Sequence, residues 1–246
     1  MDLLRCAATL LVIQFALAAN IYAQAGKATY RIVRASASIK VDGILDDTAW
    51  GKAKSVGEFV FPWWNDGVKE QTVAKLLWDD TNLYVSFRCE DRHVSGDQTE
   101  RDSRVYQDDC VEVFTAPNPD HPLNYFNIEM NVRGAFLDQH HPDGPGKPVI
   151  GQWNAEGVKI ATSVDGTLNN DSDQDRAWTL EAAIPLVNYQ KVAKHTPPHS
   201  GDVWHMNLNR LGGKTNQQYS QWTASRTERP QFHAPQDFGR VIFVDQ

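Results

Sequence analysis

Glu112 stands in Asp109-Cys110-Val111-Glu112-Val113-Phe114, with a valine on either side. A carboxylate in so apolar a run is either paired or put to use, since a buried, unpaired charge is costly. Arg104 and Arg133 are the nearby candidates for a simple ion pair. A second polar set lies in Tyr125-Phe126-Asn127-Ile128-Glu129-Met130-Asn131-Val132. At period two, Asn127, Glu129 and Asn131 take one face of an extended strand and Phe126, Ile128, Met130 and Val132 the other. Asn207 and Asn209 repeat the pattern further on. Such rows are hydrogen-bonding groups for a polyhydroxylated ligand, and a solvated sheet face accounts for them equally well. Aromatic residues in polar loops supply the complementary chemistry, a flat apolar surface with a polar tip. Tyr106 and Phe232 are of this kind. Trp63-Trp64 occupies a turn-like stretch, where Trp64 extends a platform and its neighbour anchors it. Arg229, three residues before Phe232, is either a donor to hydroxyls or a solvated loop side chain.

Two other chemistries use the same residues. Glycoside hydrolysis needs two carboxylates flanking the scissile bond, one with a raised pKa. Glu112 and Glu129 as neighbours on one shallow sheet face do not obviously provide this. Haem binding would need axial ligands such as Met and His. Met130 and Met206 share faces with core residues, and His93, His140, His141 and His205 are scattered, so core packing is the simpler account.

The elements that must position these residues are short strands. Expected strands are 30–35, 39–42, 58–61, 72–79, 82–91, 109–116, 125–132, 135–139, 158–163, 177–184, 203–211 and 240–244, separated by Asp-Gly, Asn-Pro, Pro-Asp-Gly and Gly-Gly turn signals. One helical turn is expected over 45–53, capped by Asp46 or Asp47. This spacing predicts an all-β fold, a sandwich or barrel, rather than alternating β and α. Trp50, Trp78, Trp178, Trp204 and Trp222 sit at apolar positions and read as core.

Residues 1–23 have the order of a secretory signal peptide: a weak charged start with Arg5 offset by Asp2, an apolar run over 6–19, and small residues at Ala23 and Ala25. Cleavage after Ala23 or Ala25 would leave one domain over 26–246. The apolar run is too short to span a membrane, which takes about 20 residues. The net charge of −7, with no basic patch, argues against nucleic acid as a partner. Eight tryptophans in an exported chain point toward sugar, whose C–H faces stack on aromatic rings. Cys89 and Cys110 remain after the leader. Strand parity puts Cys110 on the face of Glu112, away from Val111 and Val113, and favours two free, buried thiols.

Four segments in order resemble the family-9 carbohydrate-binding modules. They are Val41-Asp42-Gly43-Ile44-Leu45-Asp46 with Trp50; Ala74 to Val85 with Asp91; Gln107 to Phe114; and Trp178 to Pro185, followed by Trp204 to Arg210, Trp222 and Pro235-Gln236-Asp237-Phe238-Gly239. The resemblance implies an antiparallel β-sandwich that binds mono- or oligosaccharide without catalysis, often as a partner of glycoside hydrolases. It places a slot between two aromatic walls, one six residues before the strand Glu and one three residues before the Pro of Pro-x-x-Phe-Gly. Here these are Tyr106 and Phe232, with Glu112, Glu129 and Asn131 as hydrogen-bonding groups. Glu129 stands where studied binders carry a basic residue. As slot walls, Tyr106→Ala and Phe232→Ala are expected to abolish binding with the melting temperature nearly unchanged. Structural calcium also belongs to what the resemblance implies. The Asp-rich spots Asp79-Asp80, Glu90-Asp91, Asp108-Asp109 and 171–175 are its candidate ligands, with turn-forming Asp as the alternative.

Overall fold

The computed structural model describes residues 27–146 and 153–245, so the expected signal peptide lies outside the described residues. Among the described residues eleven strands follow one another: β1 (Thr29–Arg34), β2 (Thr72–Trp78), β3 (Asn82–Glu90), β4 (Cys110–Ala116), β5 (Tyr125–Asn131), β6 (Phe136–His141), β7 (Lys159–Asp165), β8 (Ala177–Pro185), β9 (Val203–Leu211), β10 (Tyr219–Gln221) and β11 (Gly239–Val244). They hydrogen-bond in the order β6-β5-β4-β9-β11-β1-β2-β3-β8-β7, with β10 added beside β9. The sheet curls so that its two halves face each other. Val111, Val113, Ile128, Met206 and Leu208 from one half share a core with Leu76, Val85, Phe87, Trp178 and Leu180 from the other.

The expected sandwich is therefore present, with one qualification. The sheet is mixed rather than purely antiparallel, because β1 runs parallel to both β11 and β2. The β1–β2 contact is brief, Val33 opposite Leu77 and Arg34 opposite Trp78. It acts as the joint between the halves. Elsewhere long antiparallel ladders carry the fold, such as β3–β8 from Asn82–Pro185 to Glu90–Ala177.

Of the expected strands, 39–42 pairs with nothing and 58–61 contributes only a bridge from Val60 to Gln221. The first has a reason. Glu181 of β8 accepts hydrogen bonds from the backbone N–H of Asp42 (3.1 Å) and Gly43 (3.0 Å), and from Trp50 Nε1 (2.7 Å). That clamp replaces a ladder and turns the chain onto the sheet. Gly43 sits at φ +82°, and a Cβ there would meet the backbone carbon of Thr162 at 2.7 Å, so only glycine fits. The helical turn is shorter than expected, a 3-10 segment at Thr48–Gly51. Asp47 precedes it without capping, its carboxylate accepting from Lys40 N instead. The five core tryptophans are buried as expected, and Cys89 and Cys110 are free and buried in different clusters.

A buried cation with acidic neighbours lies beside the core. Arg210 of β9 is fully buried, donating to Asp91 Oδ2 (2.8 Å) and to Glu70 O (3.1 Å). Asp109 faces the same group, and its other partners are Ser95 N, Ser95 Oγ and Gly213 N. No helix among the described residues is long and apolar enough to cross a membrane.

Candidate functional site

The half-sheet β6-β5-β4-β9-β10 has one face in the core and a second face that is polar along its centre. Register pairing builds this centre. Glu112 of β4 lies directly opposite Glu129 of β5 on one side and Asn209 of β9 on the other. One step along, Phe114 pairs with Asn127 and Asn207. Two apolar clusters flank the carboxylates. One holds Val105, Cys110, Ala135 and Leu137, the other Phe114, Ala116, Tyr125, Phe232 and Phe238.

A cleft of ≈ 370 Å³ opens over this face. Its floor comes from Glu112, Phe114, Glu129, Gln139 and Leu211. Tyr106, Leu137, Tyr219 and the segment Pro230–His233 complete the lining. Tyr106, Glu112, Glu129 and Phe232, separated by up to 126 positions in sequence, thus line one cleft.

The two walls differ. Tyr106 is 41 % exposed and rides on a 3-10 turn over Val105–Gln107. Val105 plugs that turn into the apolar cluster, and Asp108 N closes it on Val105 O (3.1 Å). Phe232 is only 6 % exposed. Its ring packs on Trp63 (5.8 Å between centroids) and Tyr219 (6.1 Å). The expectation that Phe232→Ala would spare the melting temperature is therefore corrected, since truncating a packed aromatic leaves a cavity.

Three other residues singled out from sequence stand elsewhere. Asn131 is fully buried and its amide is saturated. Nδ2 donates to Gln98 O and Asp108 Oδ2 (2.8 Å each), while Oδ1 accepts from Arg133 N (3.1 Å) and Ala135 N (2.9 Å). It holds the turn that displays Tyr106 and does not line the cleft. Trp64 packs edge-on against Phe61 with Lys69 over its ring, away from the cleft. Its neighbour Trp63 instead supports Phe232, with Nε1 donating to Thr227 O (2.8 Å). Arg229 is exposed beside the lining segment and is not part of it. Sequence reasoning missed Gln139 and His233. Gln139 follows Leu137 at period two, a usable signal. His233 is marked only by its adjacency to Phe232.

The carboxylates are held in an unusual electrostatic state. Burial, then the negative Glu129 opposite, pushes Glu112 well above the usual carboxylate range, against one hydrogen bond from Asn209 Nδ2 (3.2 Å). Burial raises Glu129 to about 7, opposed by a hydrogen bond from Asn127 Nδ2 to Oε1 (2.9 Å). The anticipated ion pair does not form. Arg133 Nε donates to Gly96 O, and neither Arg133 nor Arg104 bridges to Glu112 among the described residues. Glu129 Oε2 and Asn209 Oδ1 are buried without a partner among the described residues. From the lining, His233 Nδ1 shares a 2.8 Å hydrogen bond with the Tyr125 hydroxyl beneath it, and the Tyr125 ring stacks on His141 at 4.5 Å. Burial lowers both His233 and His141 to about 4, so both are neutral at pH 7.

The Asp-rich spots are largely occupied by the chain itself. Asp79 accepts from Thr81 N, Asn82 N and the Tyr84 hydroxyl, Asp91 pairs with Arg210, and Asp108 accepts from Gln98 N and Asn131. Among the described residues a compact set of three donors occurs elsewhere, where ligand atoms of His195, His199 and Asp202 lie within 4.8 Å of one another.

Residues 41–246 match the model of the family described as carbohydrate family 9 binding domain-like. Curated proteins gave no match. Among solved structures, a candidate carbohydrate-binding protein from Bacteroides uniformis superposes with a TM-score of 0.73 at 20 % identity, over 89 % of this chain and all of the other. A family 9 carbohydrate-binding module from Caldicellulosiruptor kristjanssonii in complex with cellotriose gives 0.61 at 16 % identity, over 89 % of this chain and 94 % of that one. Its complex with glucose gives 0.59 at 16 %, over 89 % and 96 %. At these identities the structures establish a common fold.

Proposed function

The chain belongs to the carbohydrate family 9 binding domain-like family, and from that membership we propose that the cleft over β4 and β5 binds a saccharide without transforming it. The observation that carries this reading is the coincidence of an exposed tyrosine wall with a polar floor in which Glu129 Oε2 is a buried acceptor without a donor. Tyr106 offers a face for a pyranose ring, and Glu112, Glu129 and Gln139 offer acceptors and donors for its hydroxyls. Phe232, backed by Trp63 and Tyr219, shapes the far end of the lining rather than standing free. Asn131 contributes by holding the Tyr106 turn.

Binding without catalysis is favoured by the placement of the carboxylates. They stand side by side on one pair of strands, so neither can hold a nucleophile or water on the face of the sugar opposite the other. The cleft is open, so water has free access to it. One aromatic stacking contact contributes about 1 kcal/mol beyond burial, which places affinity in the micromolar to millimolar range. We place this activity outside the cytoplasm, in support of polysaccharide breakdown by a partner glycoside hydrolase. Calcium, if bound, serves structure and not ligand.

Isothermal titration against xylo- and cello-oligosaccharides, with and without calcium, tests the reading. Binding that falls at least tenfold in Tyr106→Ala, with an unchanged melting temperature, supports it. A folded protein silent toward every saccharide would instead mark a surface module without a sugar ligand.

A further inference from the structure

The floor of the cleft carries two carboxylates and no cation. Glu112 and Glu129 are 3 % and 5 % exposed and sit directly opposite each other in the β4–β5 ladder. Like charges in that relation destabilise a sheet. Among the described residues, no lysine or arginine lines the cleft to offset them, and His233 is neutral at pH 7. The hydrogen-bond inventory is equally one-sided. Two amides donate to the pair, Asn209 to Glu112 and Asn127 to Glu129, while Glu129 Oε2 is left with no donor. Asn209 Oδ1, next to Glu112 across the ladder, is a further buried acceptor without a donor. The missing component is a compact group bearing positive charge and several N–H bonds.

Resting on the saccharide reading above, we propose that the preferred ligand is an amino sugar, a 2-amino-2-deoxy-pyranose of the glucosamine type, whose ammonium group lies against Glu112 and Glu129. An ammonium offers three donors, where a hydroxyl in the same position offers one. It supplies the charge that the pair lacks, and hydrogen bonds between charged groups are about twice as strong as neutral ones. The ring carrying it retains C–H faces for Tyr106. The proton that the pair holds near neutrality is displaced as the ammonium arrives, so binding is coupled to proton release. A neutral sugar leaves the pair protonated and takes only ordinary hydroxyl contacts.

The test is titration calorimetry at pH 6, where the amine is charged and the carboxyl pair still holds its proton, with three β-1,4-linked oligosaccharides of equal length: glucosamine, N-acetylglucosamine and glucose. The glucosamine oligomer is expected to bind at least tenfold more tightly than the other two. Its binding heat should vary with the ionisation enthalpy of the buffer, reporting the released proton. In the Glu112→Gln/Glu129→Gln double variant the preference should shrink to within twofold. Glucose oligomers that bind as well as or better than glucosamine oligomers would overturn the proposal while leaving the saccharide reading intact. Silence toward all three would overturn both. A preference that survives in the folded double variant would come from the protein's overall net charge of −7 and would also overturn it. If that variant does not fold, the wild-type comparison and the buffer dependence decide alone.

Discussion

Replacing Glu129 by Gln probes the carboxylate pair without any ligand. Glu129 in the folded protein keeps its proton up to about 7, against an ordinary value of 4.5. Between those two values the folded state holds more proton than the unfolded state. Stability from this group is therefore fully present below pH 4.5 and is lost as pH rises through 7. At about 1.4 kcal/mol per pH unit, the loss approaches 3 kcal/mol by pH 8. A glutamine side chain in its place cannot titrate, yet its carbonyl can still accept from Asn127 and its amide can donate to Glu112. The Glu129→Gln variant should thus gain about 3 kcal/mol relative to wild type between pH 4.5 and 8. Removing the negative neighbour also lets Glu112 fall toward its usual range, which flattens the variant's own pH profile. Urea unfolding of both proteins at matched pH values measures the difference. The histidines titrate in both proteins and cancel. A difference that stays flat within about 0.5 kcal/mol, or one that slopes the other way, would refute the claim that burial holds a proton on this pair.

Other outcomes follow from the same contacts. Phe232→Ala should cost about 3 kcal/mol in chemical denaturation, because its ring is packed on Trp63 and Tyr219, whereas Tyr106→Ala should cost less than about 0.5 kcal/mol. Asn131→Ala strips partners from Arg133 N, Ala135 N and Asp108, so it should lose about 1–3 kcal/mol of stability and weaken saccharide binding by loosening the Tyr106 turn. Arg210→Met leaves Asp91 and Asp109 buried beside each other, and should lower stability by about 3–5 kcal/mol at pH 7, with partial recovery in acid as Asp109 is protonated. His141 and His233, lowered to about 4, stay neutral in the folded state while the unfolded chain takes up protons, so they remove stability as pH falls from 6.5 to 4. His233→Gln should make that acid limb of the urea-midpoint profile shallower.

How much of this the sequence discloses depends on the range of the interaction. Strands with strict alternation, such as β5 and β9, are legible within two residues of their ends, because the period-two pattern is local. Tyr219–Gln221 is not, since three residues, two of them polar, carry no periodicity. The stretch at 39–42 looks extended because it is. Its pairing is pre-empted by Glu181, some 140 positions away, which nothing local announces. The site shows the same division. Polar rows and loop aromatics are visible in sequence, but that Glu112 faces Glu129 follows only from which strands become neighbours. Nor does alternation reveal that Asn131 turns its amide to the backbone and that Trp63, not Trp64, supports the cleft.

The parallel pairing of β1 with β11 bears on the order of events in folding. It joins residues such as Thr29 and Arg240, about 210 positions apart, whereas the β2–β3 hairpin closes over a handful, from Trp78 to Leu83. Loop-closure entropy alone makes the distant contact about 3 kcal/mol harder to form. The β2–β3–β8 sheet can therefore assemble early, while β1, which links the two halves, cannot be flanked on both sides until β11 has been synthesised. Until then the molecule has two unjoined sheets with open edges. Its native state is reached only once β11 is available, so the step that joins the two halves comes late and the edges of both sheets stay open until it does.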